Sequence, residues 1–506
     1  MPEARIALDP ASAVGSLDRR LFGSFVEHLG RCVYDGIYEP SHPSANADGF
    51  RTDVMDLVRE LGVTTIRYPG GNFVSGYRWE DGVGPREQRP KRPDLAWHSL
   101  ETNQIGLHEF ADWTSRVGAE LMLALNLGTR GVLEALDLLE YTNLAAGSAM
   151  AELRGVNGSP DPFNVRMWCL GNELDGPWQL GHRSAEDYGK IASQVAKAMR
   201  QIDPDLELVV CGSSSRSMPT FGTWERVVLE HTYEDVDFIS CHAYYQERAG
   251  DRGSFLASAV DMDAFIESVI ATADSVKAAR RSERMINISF DEWNVWYSDR
   301  YNNGGKITGL DNWPYAPRLL EDQYSVTDAV VVGSLLISLL KHADRVKAAC
   351  LAQLVNVIAP ITTEPGGPAW RQTIFFPFAI TARLARGTML RLVIESPTYH
   401  TAAYGIVPLV DAVASIDDDG GAVSVFLVNR GQDGPTIASI DIGSLGPVRL
   451  GESITLADDD PNATNTLEQP NRVAPSPNQS ARIDDNVLTV ELPPISWTAL
   501  RLATGV

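Results

Sequence analysis

The chain has 506 residues, with 66 acidic side chains against 43 basic ones and a formal net charge of −23. So negative a surface argues against nucleic acid and anionic membrane as partners and favours a neutral solute such as a sugar. The length exceeds one ordinary compact core and fits an (α/β) barrel followed by a second domain.

In chain order, a short strand-like stretch at Ala4–Ala7 comes first. The opening MPEARIALDP has no apolar core of signal-peptide length, so a cytoplasmic location is expected. From Leu21 onward, apolar β-branched runs alternate with runs whose apolar residues recur three and four apart. The pattern predicts eight strands: Phe22–Glu27, Thr64–Tyr68, Leu121–Asn126, Val165–Leu170, Glu207–Cys211, Asp237–His242, Met285–Asp291 and Ala348–Val355. Helices are expected between them at Phe50–Leu61, Leu107–Val117, Leu133–Leu144, Ala185–Ile202, Trp224–Tyr233, Ala264–Ala279 and Val326–His342, with one more at Thr373–Leu384. Continuous apolar strands alternating with amphipathic helices indicate a parallel sheet under helices, and eight such units predict a closed (β/α)8 TIM barrel. The rival is an open doubly wound sheet, but no Gly-rich phosphate loop supports it. The most apolar run, Ala329–Leu340, is too short to span a bilayer.

After about Gly387 the texture becomes short alternating strands, such as Ala422–Val428 and Val487–Leu492, separated by turn clusters. This predicts a C-terminal all-β sandwich, jelly-roll-like in kind. The expected boundaries are 1–20 for a strand that joins the sandwich, 21–386 for the barrel and 387–506 for the sandwich. The five cysteines, Cys32, Cys169, Cys211, Cys241 and Cys350, are scattered and odd in number, which fits reduced thiols in the cytosol.

Functional residues of a barrel gather at the C-terminal ends of its strands. Those ends here carry Glu27 and His28, Arg67 and Asn72, Asn126, Asn172 and Glu173, His242 with Tyr244 and Tyr245, Asp291 and Glu292, then Gln353 and Asn356. Two carboxylates stand out. One follows the apolar run in RMWCLGNELDGPWQ, the other ends INISFDEWNVW, and both are flanked by Trp and Asn. Glycosidic cleavage needs such a pair: one carboxyl protonates a poor leaving group while the other meets an oxocarbenium-like centre. Plainer roles compete. Asn172–Glu173 also suits a helix N-cap with a first-turn acid. Arg67 suits a buried ion pair, Tyr244 a core tyrosine, and Trp97 and Trp296 simple packing. Strand alternation would point Asp291 and Glu292 in opposite directions, leaving either as the second carboxylate.

The motifs RYPGGNFVSGYRWEDGVGP, WCLGNELDGPWQ, CHAYY, FDEWNVWY and AQLVNVIAPI, spread over the barrel, resemble those of the family-51 glycoside hydrolases, specifically the α-L-arabinofuranosidases. The resemblance implies Glu173 as acid/base and Glu292 as nucleophile of a retaining, exo-acting enzyme on arabino-oligosaccharides. It implies Arg67 beside the nucleophile, Tyr244 orienting it, and Asn172 on the sugar 2-hydroxyl. Glu27, Asn72 and Gln353 would take the other hydroxyls, Trp97 and Trp296 would stack on sugar, and His242 would hydrogen-bond within the site rather than hold a metal. No metal and no cofactor are expected, and a homo-oligomer, often a hexamer in such enzymes, is implied. The sequence departs from the pattern at Leu174, where Met is common, and at Gln246–Glu247, where Gly is expected. Other barrel glycosidases, an endoglucanase or a β-xylosidase, are the nearest alternatives. A sugar-binding barrel without catalysis would lack one of the two glutamates.

Overall fold

The computed structural model describes every residue except Ala249 and Val506. Eight parallel strands close into a barrel: Gly23–Phe25, Thr65–Tyr68, Glu120–Ala124, Met167–Cys169, Glu207–Val210, Phe238–Tyr245, Asn287–Val295 and Val346–Leu351. They are called strands one to eight below. Helices between them turn one apolar stripe inward. Thr52–Leu61 buries Val54, Met55, Leu57, Val58 and Leu61, and it stops at Gly62, whose left-handed backbone (φ 78°) lets its N–H reach the carbonyls of Val58 and Arg59. Ala185–Ile202 starts at Ser184, whose side chain accepts from the Asp187 N–H.

The expected strand positions hold, but several ends move. Strands one, three, four, five and eight end earlier than predicted, and strands six and seven run on further. Strand six continues past His242 to Tyr245, and strand seven continues past Asp291 to Val295. The cause is mutual pairing: the two run on together from His242 opposite Glu292 to Tyr245 opposite Val295. Tertiary pairing of aromatic and β-branched residues thus overrides the acidic residues that suggested a stop. Helix Ala259–Arg280 begins earlier than expected, and helix Ala149–Val156 was not anticipated.

Beyond the barrel, two sheets share one apolar core that includes Ala4, Ile6, Val425, Ala438, Leu488 and Leu500. One has five strands and the other seven. The N-terminal strand Glu3–Ala7 lies in the five-stranded sheet, parallel to Thr436–Asp441 and antiparallel to Val393–Glu395. Helix Val326–Lys341 is buried on all sides, which accounts for its near-continuous apolar sequence. A Cβ on its Gly333 would sit 2.3 Å from the Trp497 ring of the seven-stranded sheet, so helix and sheet approach closely only because glycine stands there. Across the same junction Arg430 pairs with Asp411 at 2.9 Å and donates to Ser334 Oγ at 3.0 Å, while Lys341 also pairs with Asp411.

Candidate active site

Glu173 sits on a tight turn after strand four, with its own backbone in the left-handed region (φ 45°). That conformation costs a non-glycine residue roughly 1–2 kcal/mol and marks a position held by its surroundings. The holding bonds are visible. The Gly176 N–H donates to the Glu173 carbonyl at 2.9 Å, and Asp175 Oδ2 accepts from both the N–H and the hydroxyl of Ser214 at 3.0 Å. The Glu173 carboxylate accepts from Trp178 Nε1 at 2.8 Å and is bonded to His242 Nδ1 at 2.9 Å. Burial pushes Asp175 up to about 6.

Glu292 lies in strand seven, opposite His242 of strand six. Arg67 donates to its Oε1 at 3.0 Å and Tyr244 OH donates to its Oε2 at 2.7 Å. Asp291 does not point away from this network, as strand alternation predicted. It is bonded to His242 Nε2 at 2.9 Å and stands 3.8 Å from Arg67 Nε. The reason is a register shift of strand seven against strand eight between Phe290 and Trp293, which breaks the two-residue period. Asp291 therefore serves as a buried partner of His242 and Arg67.

The charges are tightly interdependent. Burial opposes the imidazolium, but Glu292, Asp291 and Glu173 together hold His242 well above the ordinary histidine value. Charged His242 then donates from both ring nitrogens. Burial raises Glu292 above the usual carboxylate range. His242, Arg67 and the Tyr244 hydroxyl pull it down, while the charge of Glu173 pushes it up. An oxygen of Glu173, an oxygen of Glu292 and a nitrogen of His242 all lie within 4.8 Å of one another. A metal ion could bridge that spacing. Here the imidazole already bonds Glu173, and Arg67 beside Glu292 supplies a fixed positive charge that disfavours a second cation.

These groups face a cavity of about 570 Å³ at the C-terminal mouth of the barrel. Of the expected site residues, Glu27, Asn72, Trp97, Tyr244, Trp296 and Gln353 line it together with Glu173 and Glu292. Arg67, Asn172 and His242 lie just behind its wall, each at most 2 % exposed, with Arg67 and His242 bonded to the glutamates. Arg67 Nη2 donates to Asn172 Oδ1 at 2.6 Å, which leaves Asn172 Nδ2 buried without a partner among the described residues. Glu27 accepts from the Phe73 N–H at 2.9 Å, Trp97 Nε1 at 2.7 Å and Gln353 Nε2 at 3.1 Å. Burial nevertheless pushes Glu27 up to about 8. Gly71 is required beside it, because its φ is +63° and a Cβ would come within 2.2 Å of the Glu27 carboxyl. Trp97 is thus fixed by its indole N–H, and Trp296 packs edge-on to Tyr244 at 5.1 Å.

Three other polar strand ends serve structure instead. His28 bonds Glu101 and Tyr68, Asn126 bonds Tyr77 and Thr129, and Asn356 bonds Thr363 and Arg31. Sequence reasoning missed the Asp175–Ser214 clamp and the cavity residues Leu95 and Tyr301. Asp175 lies inside the quoted Glu173 motif, so that signal was present. Leu95 and Tyr301 come from a short hairpin, Arg92–Asp94 with Ser99–Glu101, and from the loop after strand seven, neither of which has a periodic pattern.

A (β/α)8 barrel that presents two glutamates from strands four and seven across one walled cavity is the scaffold of a glycoside hydrolase. Known proteins agree. Residues 57–252 match the family model "Alpha-L-arabinofuranosidase 1 domain" and residues 291–496 match "Alpha-L-arabinofuranosidase C-terminal domain". The chain is 58 % identical to the intracellular exo-α-(1→5)-L-arabinofuranosidase of Streptomyces lividans, over 99 % of this chain and 76 % of that one. It is also 58 % identical to the exo-α-(1→6)-L-arabinofuranosidase of Bifidobacterium longum, over 99 % of this chain and 98 % of that one. A solved family 51 α-L-arabinofuranosidase from Bifidobacterium longum superposes with a TM-score of 0.95 at 52 % identity, covering 99 % of each chain. The chain belongs to the family 51 α-L-arabinofuranosidases.

Proposed function

We propose that the protein removes terminal non-reducing α-L-arabinofuranosyl groups from arabino-oligosaccharides, one at a time and with retention of configuration. The observation that carries this reading is the Glu173–Glu292 pair, whose nearest oxygens lie within 4.8 Å. Retention needs carboxyls about 5 Å apart, whereas inversion needs roughly 6.5–9.5 Å to admit a water. Glu292 attacks the anomeric carbon while Glu173 gives its proton to the leaving oxygen. Glu173, now a carboxylate, then takes a proton from water as that water releases the sugar. The first step needs the proton on Glu173 and the charge on Glu292. Arg67 and Tyr244 hold the attacking oxygens. The unpaired Asn172 Nδ2 suits a sugar hydroxyl, and Glu27, Asn72 and Gln353 suit the others.

Exo action fits a cavity closed on one side. There the Leu100 N–H donates to the Pro314 carbonyl at 2.9 Å and His98 stacks on Trp313 at 4.8 Å, joining the hairpin to the loop after strand seven. The five free, buried cysteines and the word "intracellular" in the Streptomyces relative's name support a cytoplasmic site of action. Assembly as a homo-oligomer, a hexamer by family likeness, belongs to the same reading and is checked by light scattering. The main test is a hydrolysis screen of arabinofuranosyl, xylosyl and glucosyl substrates, with proton NMR of the first-formed anomer. Release of the inverted anomer, or preference for an aryl xyloside, would refute the reading.

A further inference from the structure

Gln246 follows strand six directly, in the Gln246–Glu247 pair where glycine is expected from the sequence pattern. Its side-chain amide offers a donor and an acceptor, and both are used. Nε2 donates to Ser298 Oγ at 3.3 Å, and Oε1 accepts from the Asp299 N–H at 3.3 Å. A glycine there would make neither bond. The two bonds lie just beyond the last rung between strands six and seven, where the Trp296 N–H donates to the Tyr245 carbonyl at 2.8 Å. The turn that carries Gln246 is itself held from behind. Glu247 accepts from Arg252 Nε at 3.2 Å, and Arg252 Nη2 donates to Asn462 Oδ1 of the sandwich at 2.7 Å.

Ser298 and Asp299 open the loop after strand seven. Ser298, Tyr301, Asn302, Lys306, Ile307 and Thr308 of this loop all line the main cavity. Little else holds the loop there. Residues 302–306 and 308–312 are exposed. Among the described residues, the other polar contact from 298–312 to the rest of the barrel is Arg300 with Asp322, at 3.7 Å. A segment so exposed and so sparsely bonded moves at low cost. Tyr301 gives the loop its place in the site. Its ring stands edge-on to Trp97 at 5.9 Å and tilted on Trp296 at 6.4 Å, and Lys306 folds back over it at 5.5 Å. Trp97 is bonded to Glu27, so Tyr301 closes the cavity on the side given above to the arabinose hydroxyls.

We propose that Gln246 is a positioning residue: it latches the loop after strand seven so that Tyr301 closes over the bound arabinose, and it thereby sets how tightly that sugar is held. The proposal rests on the arabinofuranosidase reading above and deepens it by naming a residue that governs affinity for the transferred sugar through the loop. Arg67 and Tyr244 keep their bonds to Glu292 when the latch is lost. Sugar binding therefore weakens in the ground state and the transition state alike, which raises KM and leaves kcat.

The test compares the full-length protein with Gln246→Ala. Three quantities are measured: kcat and KM on 4-nitrophenyl α-L-arabinofuranoside, the inhibition constant of 1,4-dideoxy-1,4-imino-L-arabinitol, and hydrogen exchange along the chain. The iminosugar has the shape of the furanose and no leaving group, so it reports the arabinose end alone. KM and the inhibition constant are expected to rise together by roughly fivefold, the effect of two neutral hydrogen bonds partly replaced by water, with kcat within about twofold. Exchange should quicken over residues 298–312 and stay unchanged in the barrel strands, which also reports that the variant folds. An unchanged inhibition constant, or a fall in kcat at constant KM, overturns the proposal. Weaker binding without faster exchange in the loop overturns the latch as its cause. No cleavage of any arabinofuranoside by the unaltered protein overturns the underlying reading instead, while loop exchange still decides whether Gln246 holds the loop.

Discussion

Tyr244→Phe isolates one bond in the site. The ring keeps its packing on Trp296 at 5.1 Å, and only the hydroxyl that donates to Glu292 Oε2 at 2.7 Å is lost. A hydrogen bond to a charged group contributes about 1.5–3 kcal/mol. Each 1.4 kcal/mol is a factor of ten, so kcat/KM should fall roughly 10- to 100-fold when the hydroxyl, by holding Glu292 in its attacking position, contributes that much more in the transition state than in the free enzyme. The sign of the pH effect follows from the same bond. The hydroxyl favours the ionised Glu292 and so lowers its pKa against the effect of burial. Its removal raises that pKa, and the acid limb of the kcat/KM profile should move to higher pH. The assay is the pH dependence of kcat/KM on an aryl arabinofuranoside, with a burst titration to count active sites. Unchanged activity with an unmoved acid limb would refute the role given to Tyr244.

The remaining predictions concern the two glutamates and the domain junction. Glu292→Ala should abolish turnover, and azide should restore part of it by occupying the vacated space; near-normal hydrolysis without azide would contradict the nucleophile assignment. Glu173→Ala should lose far more kcat/KM on natural oligosaccharides than on an activated aryl arabinofuranoside, because only the poor leaving group needs a proton; equal losses would argue against an acid role. Burial opposes the charge on Asp411, but Lys341 and Arg430 hold its pKa down at about 2, against 3.8 normally. Its folded pKa is depressed, so it adds stability above about pH 4 that is lost as pH falls towards 2, a contribution of about 2 kcal/mol. Asp411→Asn should lower the melting temperature at pH 7 and flatten its dependence between pH 4 and 2. An unchanged acid-unfolding curve would show that the junction does not depend on this charge.

The barrel was legible because its strands are buried on both faces and read as continuous apolar runs. The two glutamates were legible because each ends such a run among aromatic residues. What failed was the geometry near Asp291. Alternation assumes an unbroken two-residue period, and the register shift after Phe290 breaks it through pairing with strands six and eight, which no local pattern in INISFDEWNVW reveals. Many strands of the sandwich escaped for a different reason. Edge strands such as Val393–Glu395 and Arg482–Asp484 are only three residues long, too short to display a period. The hairpin carrying Trp97 escaped because its anchors are side-chain bonds, Asp94 to the Ala96 and Trp97 N–H groups and Glu27 to the indole.

The register shift also explains how one imidazole can reach both glutamates of the proposed reaction. Strands four and seven are three positions apart around the barrel, so their glutamates approach from opposite sides of the mouth. His242 on strand six lies between them, at 2.9 Å from Glu173 and 3.6 Å from Glu292. A regular strand seven would turn Asp291 outward and leave the far nitrogen of His242 without its partner. With Asp291 drawn in at 2.9 Å, the ring is fixed at both ends and carries a positive charge where negative charge moves from one glutamate to the other. In the proposed mechanism the charge sits on Glu292 before the first step and on Glu173 in the covalent intermediate. A fixed cation between the two stabilises negative charge on whichever of them bears it. The irregularity that defeated the sequence pattern is therefore what lets a single buried histidine face both glutamates throughout the cycle.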